Sequence, residues 1–218
     1  GAAAGQPGPA ADEIVYALGG EVLAYTEMVP SILLGLRHIA LGVRKGVLRE
    51  KALGHLLDTW RRMAQGELQL GPGNTEELLG ALHALGTAPG LAAADREAIA
   101  DAAALRRDFL PVYRVLADLL VAGGEAMAAR GAALADEMLR REAVDRTLTP
   151  GDRGILLAAL VRLATGAALG SRGGRLRERI VGAVADAEKR GLPVAPLAVR
   201  LRGSAAISAR LRGRLPRA

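Results

Sequence analysis

Apolar residues recur along this chain mostly at intervals of three and four, the spacing that gathers side chains on one face of an α-helix. Ile14, Leu18, Val22, Tyr25 and Val29 form the first such stripe and predict a helix over 12–28. Pro30 lacks an N–H and clashes with the preceding turn, so it ends or bends that helix. Ile32, Leu36, Ile39 and Val43 predict a second helix from Ser31 towards Lys45, and Leu53, Leu56, Leu57 and Trp60 a third over 48–65. Gly66, Gly71, Pro72 and Gly73 then interrupt the pattern as a loop. Asn74, with Glu77 three residues on, has the form of a capping box and predicts a helix to about Gly86, where Pro89-Gly90 turns the chain.

The Ala-rich stretch 95–108 is helical by propensity. Pro111 opens a long helical pattern reaching Val144, weakened in its middle by Gly123-Gly124. Thr149-Pro150-Gly151-Asp152 supplies a capping hydroxyl, a proline at the first helical position and an acid in the first turn, predicting a helix through about Leu169. The glycine-rich turn 170–174 stops it. Leu176, Ile180, Val184 and Ala187 predict a further helix over 175–190. Pro193 and Pro196 mark a loop, and Ile207, Leu211 and Leu215 align on a short terminal helix over 204–214.

This reads as an all-α protein: a compact multi-helix bundle with a basic C-terminal appendage. Leu and Ala dominate the apolar half of the composition, and the only aromatics are Tyr16, Tyr25, Trp60, Phe109 and Tyr113. A short α-solenoid of helix pairs is the alternative. Residues 78–87 and 156–165 share the pattern LLxALxxLxT at a spacing of 78, with fainter echoes near Leu33 and Val115. Residues 1–10, all small or polar, are expected to be a disordered leader. The helical domain is expected over 11–191 and a basic tail over 192–218.

Charge adds what the periodicity does not. Residues 171–218 hold twelve bases and three acids (+9), whereas residues 1–170 hold 17 bases and 20 acids (−3). Such asymmetry points to a polyanionic partner. Arg outnumbers Lys by 26 to 3, which suits bidentate phosphate binding. A GC-rich genome writes the same bias everywhere, so the positions of the charges matter more than the ratio. Arg172, Arg175, Arg179 and Arg190 lie along one side of the helix over 175–190, with Asp186 in the same stripe. Arg200, Arg202, Arg210, Arg212 and Arg214 follow in the tail. Six to eight phosphate contacts would give a log–log salt slope of roughly −5 to −7. The basic third of the chain has no aromatic residue, so base stacking is not the expected mode.

Catalytic and metal chemistry find no foothold. There is no cysteine, which excludes disulfides and thiolate ligands. His38, His55 and His83 fall in separate helices, and His55 with Asp58 reads as a surface pair. The phosphate-loop, dinucleotide and nucleophile-elbow patterns are absent. The turn GSRGG before Arg175 could form an anion nest, but a helix stop is the simpler reading. Trp60 beside Arg61 and Arg62 reads as core, not as an anchor for a partner. Residues 154–171 carry one charge, Arg162. They fall short of the ~20 apolar residues of a membrane span, and Arg162 near the centre would cost roughly 2.5–3.5 kcal/mol there. No transmembrane span and no cofactor are expected, and a cysteine-free chain fits the cytoplasm or another reducing compartment.

The expectation is therefore a non-enzymatic helical binding protein. Its Arg-rich C-terminal region would contact nucleic-acid phosphates with little sequence specificity, on a helical body serving as scaffold or oligomerisation unit. The alternative is a protein–protein interaction or assembly subunit whose basic tail docks on an acidic protein or membrane surface, using Ile207, Leu211 and Leu215 as an amphipathic face.

Overall fold

A computed structural model describes Gly35, residues 47–170 and residues 173–215. The expected leader over 1–10, the helix over 12–28, all of the helix over 31–45 except Gly35, and His38 and Arg172 lie outside the described residues. Among the described residues the chain is helical throughout, with no strand. It divides into two compact units, residues 1–105 and 106–218. That boundary falls inside the span that the sequence reads as one helical domain.

In the first unit α1 (Val47–Ala64), α2 (Pro72–Gly86) and α3 (Ala93–Ala103) each pack on the other two. Trp60 is fully buried between them, and its indole Nε1–H donates to the Ala102 carbonyl at 2.8 Å. The large ring therefore enters the core without leaving its polar atom unpaired. Helix α2 starts three residues earlier than the Asn74 cap would place it. Gly71 occupies the cap position and Pro72 the first turn, where a missing N–H costs nothing.

The second unit holds α4 (Pro111–Gly123), α5 (Ala128–Val144), α6 (Pro150–Thr165), α7 (Gly174–Lys189), α8 (Ala195–Gly203) and a single turn, α9 (Ala209–Arg212). The long pattern from Pro111 breaks at the glycine pair. Gly124 takes φ +66°, a conformation that favours glycine, and a 3₁₀ turn over Gly124–Met127 leads into α5. Pro196 does not keep its segment a loop, because it stands in the first turn of α8. The terminal helix is shorter than its apolar pattern suggests. Ser208 caps it, yet Ile207, Leu211 and Leu215 are all buried, so the segment to residue 215 packs as part of the unit.

Helix α6 is the centre of this unit and packs against α4, α5, α7 and α8. Its start carries the expected capping hydroxyl, and with Asp152 this forms a capping box. The Thr149 hydroxyl accepts from the Asp152 N–H, and the Asp152 carboxylate accepts from the Thr149 hydroxyl at 2.7 Å and N–H at 2.9 Å. These bonds, led by the hydroxyl, hold the Asp152 carboxyl below the usual carboxylate range. A depressed folded-state pKa means the cap contributes fully above about 4 and fades as acid protonates it. Close packing continues past the end of α6. A Cβ added at Gly131 of α5 would stand 2.1 Å from the Ala168 carbonyl oxygen.

The two units contain the same three-helix repeat. At a spacing of 78, α2 and α6 both begin with Pro-Gly. Both bury the same five positions, Leu78/Leu156, Leu79/Leu157, Ala81/Ala159, Leu82/Leu160 and Leu85/Leu163. Both end with a threonine whose hydroxyl donates to the carbonyl four residues back, at 2.8 and 2.9 Å. Helices α1 and α5 match at that spacing through Leu56/Leu134, Asp58/Asp136, Trp60/Met138 and Arg62/Arg140. Helices α3 and α7 match three residues later, as RExIxxAxA from Arg96 and from Arg177. Arg96 Nε donates to the Gly86 carbonyl at 2.9 Å and Arg177 Nε to the Ala164 carbonyl at 3.1 Å. Gly86 and Ala164 are again 78 apart, so each copy closes the C-terminus of its middle helix with the same arginine.

Two glycines in this unit should respond oppositely to alanine. Gly131→Ala must displace backbone and is expected to lower stability by about 1–3 kcal/mol. Gly182→Ala in α7 meets nothing within 4 Å and should raise it by up to about 1 kcal/mol through helix propensity. Denaturant midpoints of the two variants check both signs.

Candidate anion-binding site

With the boundary at Leu105/Arg106, the charge asymmetry belongs to a whole folded unit. Residues 106–218 hold 21 bases and 11 acids, a formal +10; residues 1–105 hold 8 bases and 12 acids, −4. Much of this charge is structural. Glu142 of α5 is almost fully buried, and its Oε1 accepts from Arg190 at the end of α7 and lies 3.3 Å from Arg153 Nη1 of α6. Arg153 also donates to the Glu142 carbonyl, and to the Asp145 carbonyl at 2.9 Å. A buried carboxylate is tolerable only with such partners. This one ties three helices together.

The nine arginines singled out from the sequence separate into groups. Arg190 is held by Glu142, and Arg179 donates to Asp136 of α5. Arg212 turns back on its own segment, donating to the carbonyls of Ile207 at 2.9 Å and Ser204 at 3.1 Å. Arg214 donates to Glu178 at 2.6 Å, and Arg210 lies 3.8 Å from the same carboxylate. Arg210 and Arg214 remain exposed and share one acid between two cations. Arg175, Arg200 and Arg202 make no ion pair or hydrogen bond among the described residues, and Arg175 and Arg200 are exposed. Arg172 lies outside the described residues. Gly173, in the turn before α7, is buried, and a Cβ there would meet Leu169 at 2.5 Å.

Arg200 joins two arginines that the sequence did not group with it. Arg114 of α4, Arg162 of α6 and Arg200 of α8 line one open cleft of about 610 Å³, with Asp118 of α4 and a floor of Gly151, Gly154, Ile155, Ala158 and Ala159. Arg162 Nε donates to Asp118 Oδ1. That pair neutralises itself, leaving the cleft with the charge of Arg114 and Arg200. The lone charge in the apolar stretch 154–171 was the available signal for Arg162. Nothing local marks Arg114, because only the packing of α4 and α8 on α6 brings the three together.

Among the described residues no group of three or more His, Asp or Glu could hold a metal ion. No helix of the described residues is long and apolar enough to cross a membrane. No family model, curated protein or solved structure matches the chain significantly.

The division of the arginines is testable by stability. Glu142→Gln leaves Arg153 and Arg190 without their shared anion and should cost about 1–3 kcal/mol, both guanidiniums keeping some access to water. Arg175→Gln should cost nothing measurable. Thermal or urea melts of the two variants distinguish them.

Proposed function

We propose that the second unit is a non-enzymatic, backbone-directed nucleic-acid-binding domain. Its cationic surface engages phosphates with little sequence preference, and the repeated helices serve as scaffold. The observation that carries this reading is the surplus of uncommitted charge on a folded unit. Arg175, Arg200 and Arg202 have no acidic partner among the described residues, and Arg210 and Arg214 share one. Arg forms bidentate bonds to phosphate oxygens, and a rigid unit presents them without the ordering cost of a flexible tail. The packing also narrows the contact set. Arg179, Arg190 and Arg212 are engaged by groups of the protein itself, so the salt dependence should be shallower than nine contacts would give.

The tail's apolar residues argue for this reading over a lipid-facing one. Ile207, Leu211 and Leu215 are buried in the unit and present no face to a bilayer.

Fluorescence anisotropy with labelled DNA and RNA, titrated across salt, tests the proposal. Three to five phosphate contacts predict a log–log slope of roughly −3 to −5. Changing Arg175, Arg200 or Arg202 to Gln should flatten it by about one each. Arg212→Gln should leave the slope unchanged. Absence of binding at ~50 mM salt, where such contacts are strong, would reject the proposal and favour an acidic protein partner.

A further inference from the structure

The cleft between α4, α6 and α8 differs from the rest of the cationic surface because three helices converge on it. The internal repeat supplies a comparison within the same chain. Three cleft-lining positions of α6, Gly154, Ile155 and Arg162, correspond at the spacing of 78 to Glu76, Glu77 and Ala84 of α2. The two helices share most of their buried positions, and the exchange falls on the side of α6 that lines the cleft beside α4 and α8. One copy carries two carboxylates and no cation along this line. The other carries no carboxylate and a guanidinium, and it lines a cleft together with Arg114 and Arg200.

We propose that this cleft is a binding site for a phosphate monoester dianion. Three guanidiniums and one carboxylate leave a formal surplus of two positive charges, which matches a phosphate monoester, whose charge near neutral pH is about −1.5 to −2. A phosphodiester carries one negative charge and would satisfy only half of it. Arg114 and Arg200 line the cleft from separate helices, and each guanidinium carries a planar pair of donors that suits phosphate oxygens. Arg162, held by Asp118, is oriented without being free to follow the ligand. The glycine and aliphatic floor offers room for a sugar and no ring for stacking. A Cβ at Gly154 would meet nothing within 4 Å, so glycine there is not required by packing and leaves the floor open.

The monoester could arrive as the 5′ end of a polynucleotide or as a free phosphorylated small molecule, and the chemistry is shared. The assignment does not rest on nucleic-acid binding elsewhere on the unit. Calorimetric titration of the full chain with adenosine monophosphate, against adenosine, reads the cleft directly. The nucleotide should bind and the nucleoside should not. Arg114→Gln and Arg200→Gln should each weaken binding about ten-fold or more. Arg146→Gln, an exposed cation outside the lining, should change it little. Gly154→Leu removes no charge and favours the helix, yet should abolish binding by filling the floor. Anisotropy with 5′-phosphorylated and 5′-hydroxyl oligonucleotides then separates the sources. Preference for the phosphorylated end identifies the polynucleotide terminus. Indifference to the end, with the mononucleotide still bound through Arg200, identifies a free phosphate monoester. The assignment is overturned if nucleotide and nucleoside behave alike, or if Arg200→Gln is no worse than Arg146→Gln. Binding of 5′-hydroxyl oligonucleotides in that event would leave the proposed function standing while removing the cleft from it.

Discussion

The second unit depends on the burial of α6 from several sides at once. Leu156, Leu157, Ala159, Leu160, Val161, Leu163 and Ala164 are all at or near zero exposure, and α4, α5, α7 and α8 each pack on this helix. Truncating one such leucine to alanine typically costs about 2–5 kcal/mol, so α6 fixes its neighbours as firmly as they fix it. The polar groups near its ends carry that constraint outward. Arg153, in its first turn, reaches Glu142 of α5, and Arg162, in its last, reaches Asp118 of α4. The positions of the surface cations follow from this arrangement, because Arg114 and Arg200 ride on helices held by α6.

The internal repeat clarifies which features serve the fold. Features present in both copies are structural: the Pro-Gly start, the five buried positions, the terminal threonine and the arginine that closes the middle helix. Features present in one copy need another explanation. The exchange of Glu76, Glu77 and Ala84 in α2 for Gly154, Ile155 and Arg162 in α6 goes with the packing of α4 and α8 on that side of α6 and with the cleft they form. The extension of the second copy by α8 and α9 also belongs to one copy, and it brings most of the remaining arginines.

Much of the helical architecture was legible in the sequence, because amphipathic periodicity and capping are local. The α6 start was foreseen from Thr149, Pro150 and Asp152, and the break before α5 from Gly123-Gly124. Ile207, Leu211 and Leu215 align in the sequence as the apolar side of a short helix, but that side packs into the unit and is not left as a docking face. Helix α8 is hidden in the sequence because Pro196 has the look of a breaker yet occupies a first turn. The site was less legible. Sequence spacing along one helix grouped Arg175, Arg179 and Arg190, but the partners that decide their roles come from elsewhere. Asp136 and Glu142 stand 43 and 48 residues away from the cations they hold. Arg114, Arg162 and Arg200 form a set only through tertiary packing.

The central claim is that the cations of this unit divide into a fixed structural set and a free set that receives phosphate. Arginine side-chain Nε–H resonances, followed by NMR as a 5′-phosphorylated oligonucleotide is added, address it most directly. The account predicts that Arg114, Arg175, Arg200 and Arg202 shift with ligand, while Arg177, Arg190 and Arg212 keep their positions and their protection from solvent exchange. Uniform, shallow shifts of all these arginines, or equal exchange across them before ligand is added, would contradict it.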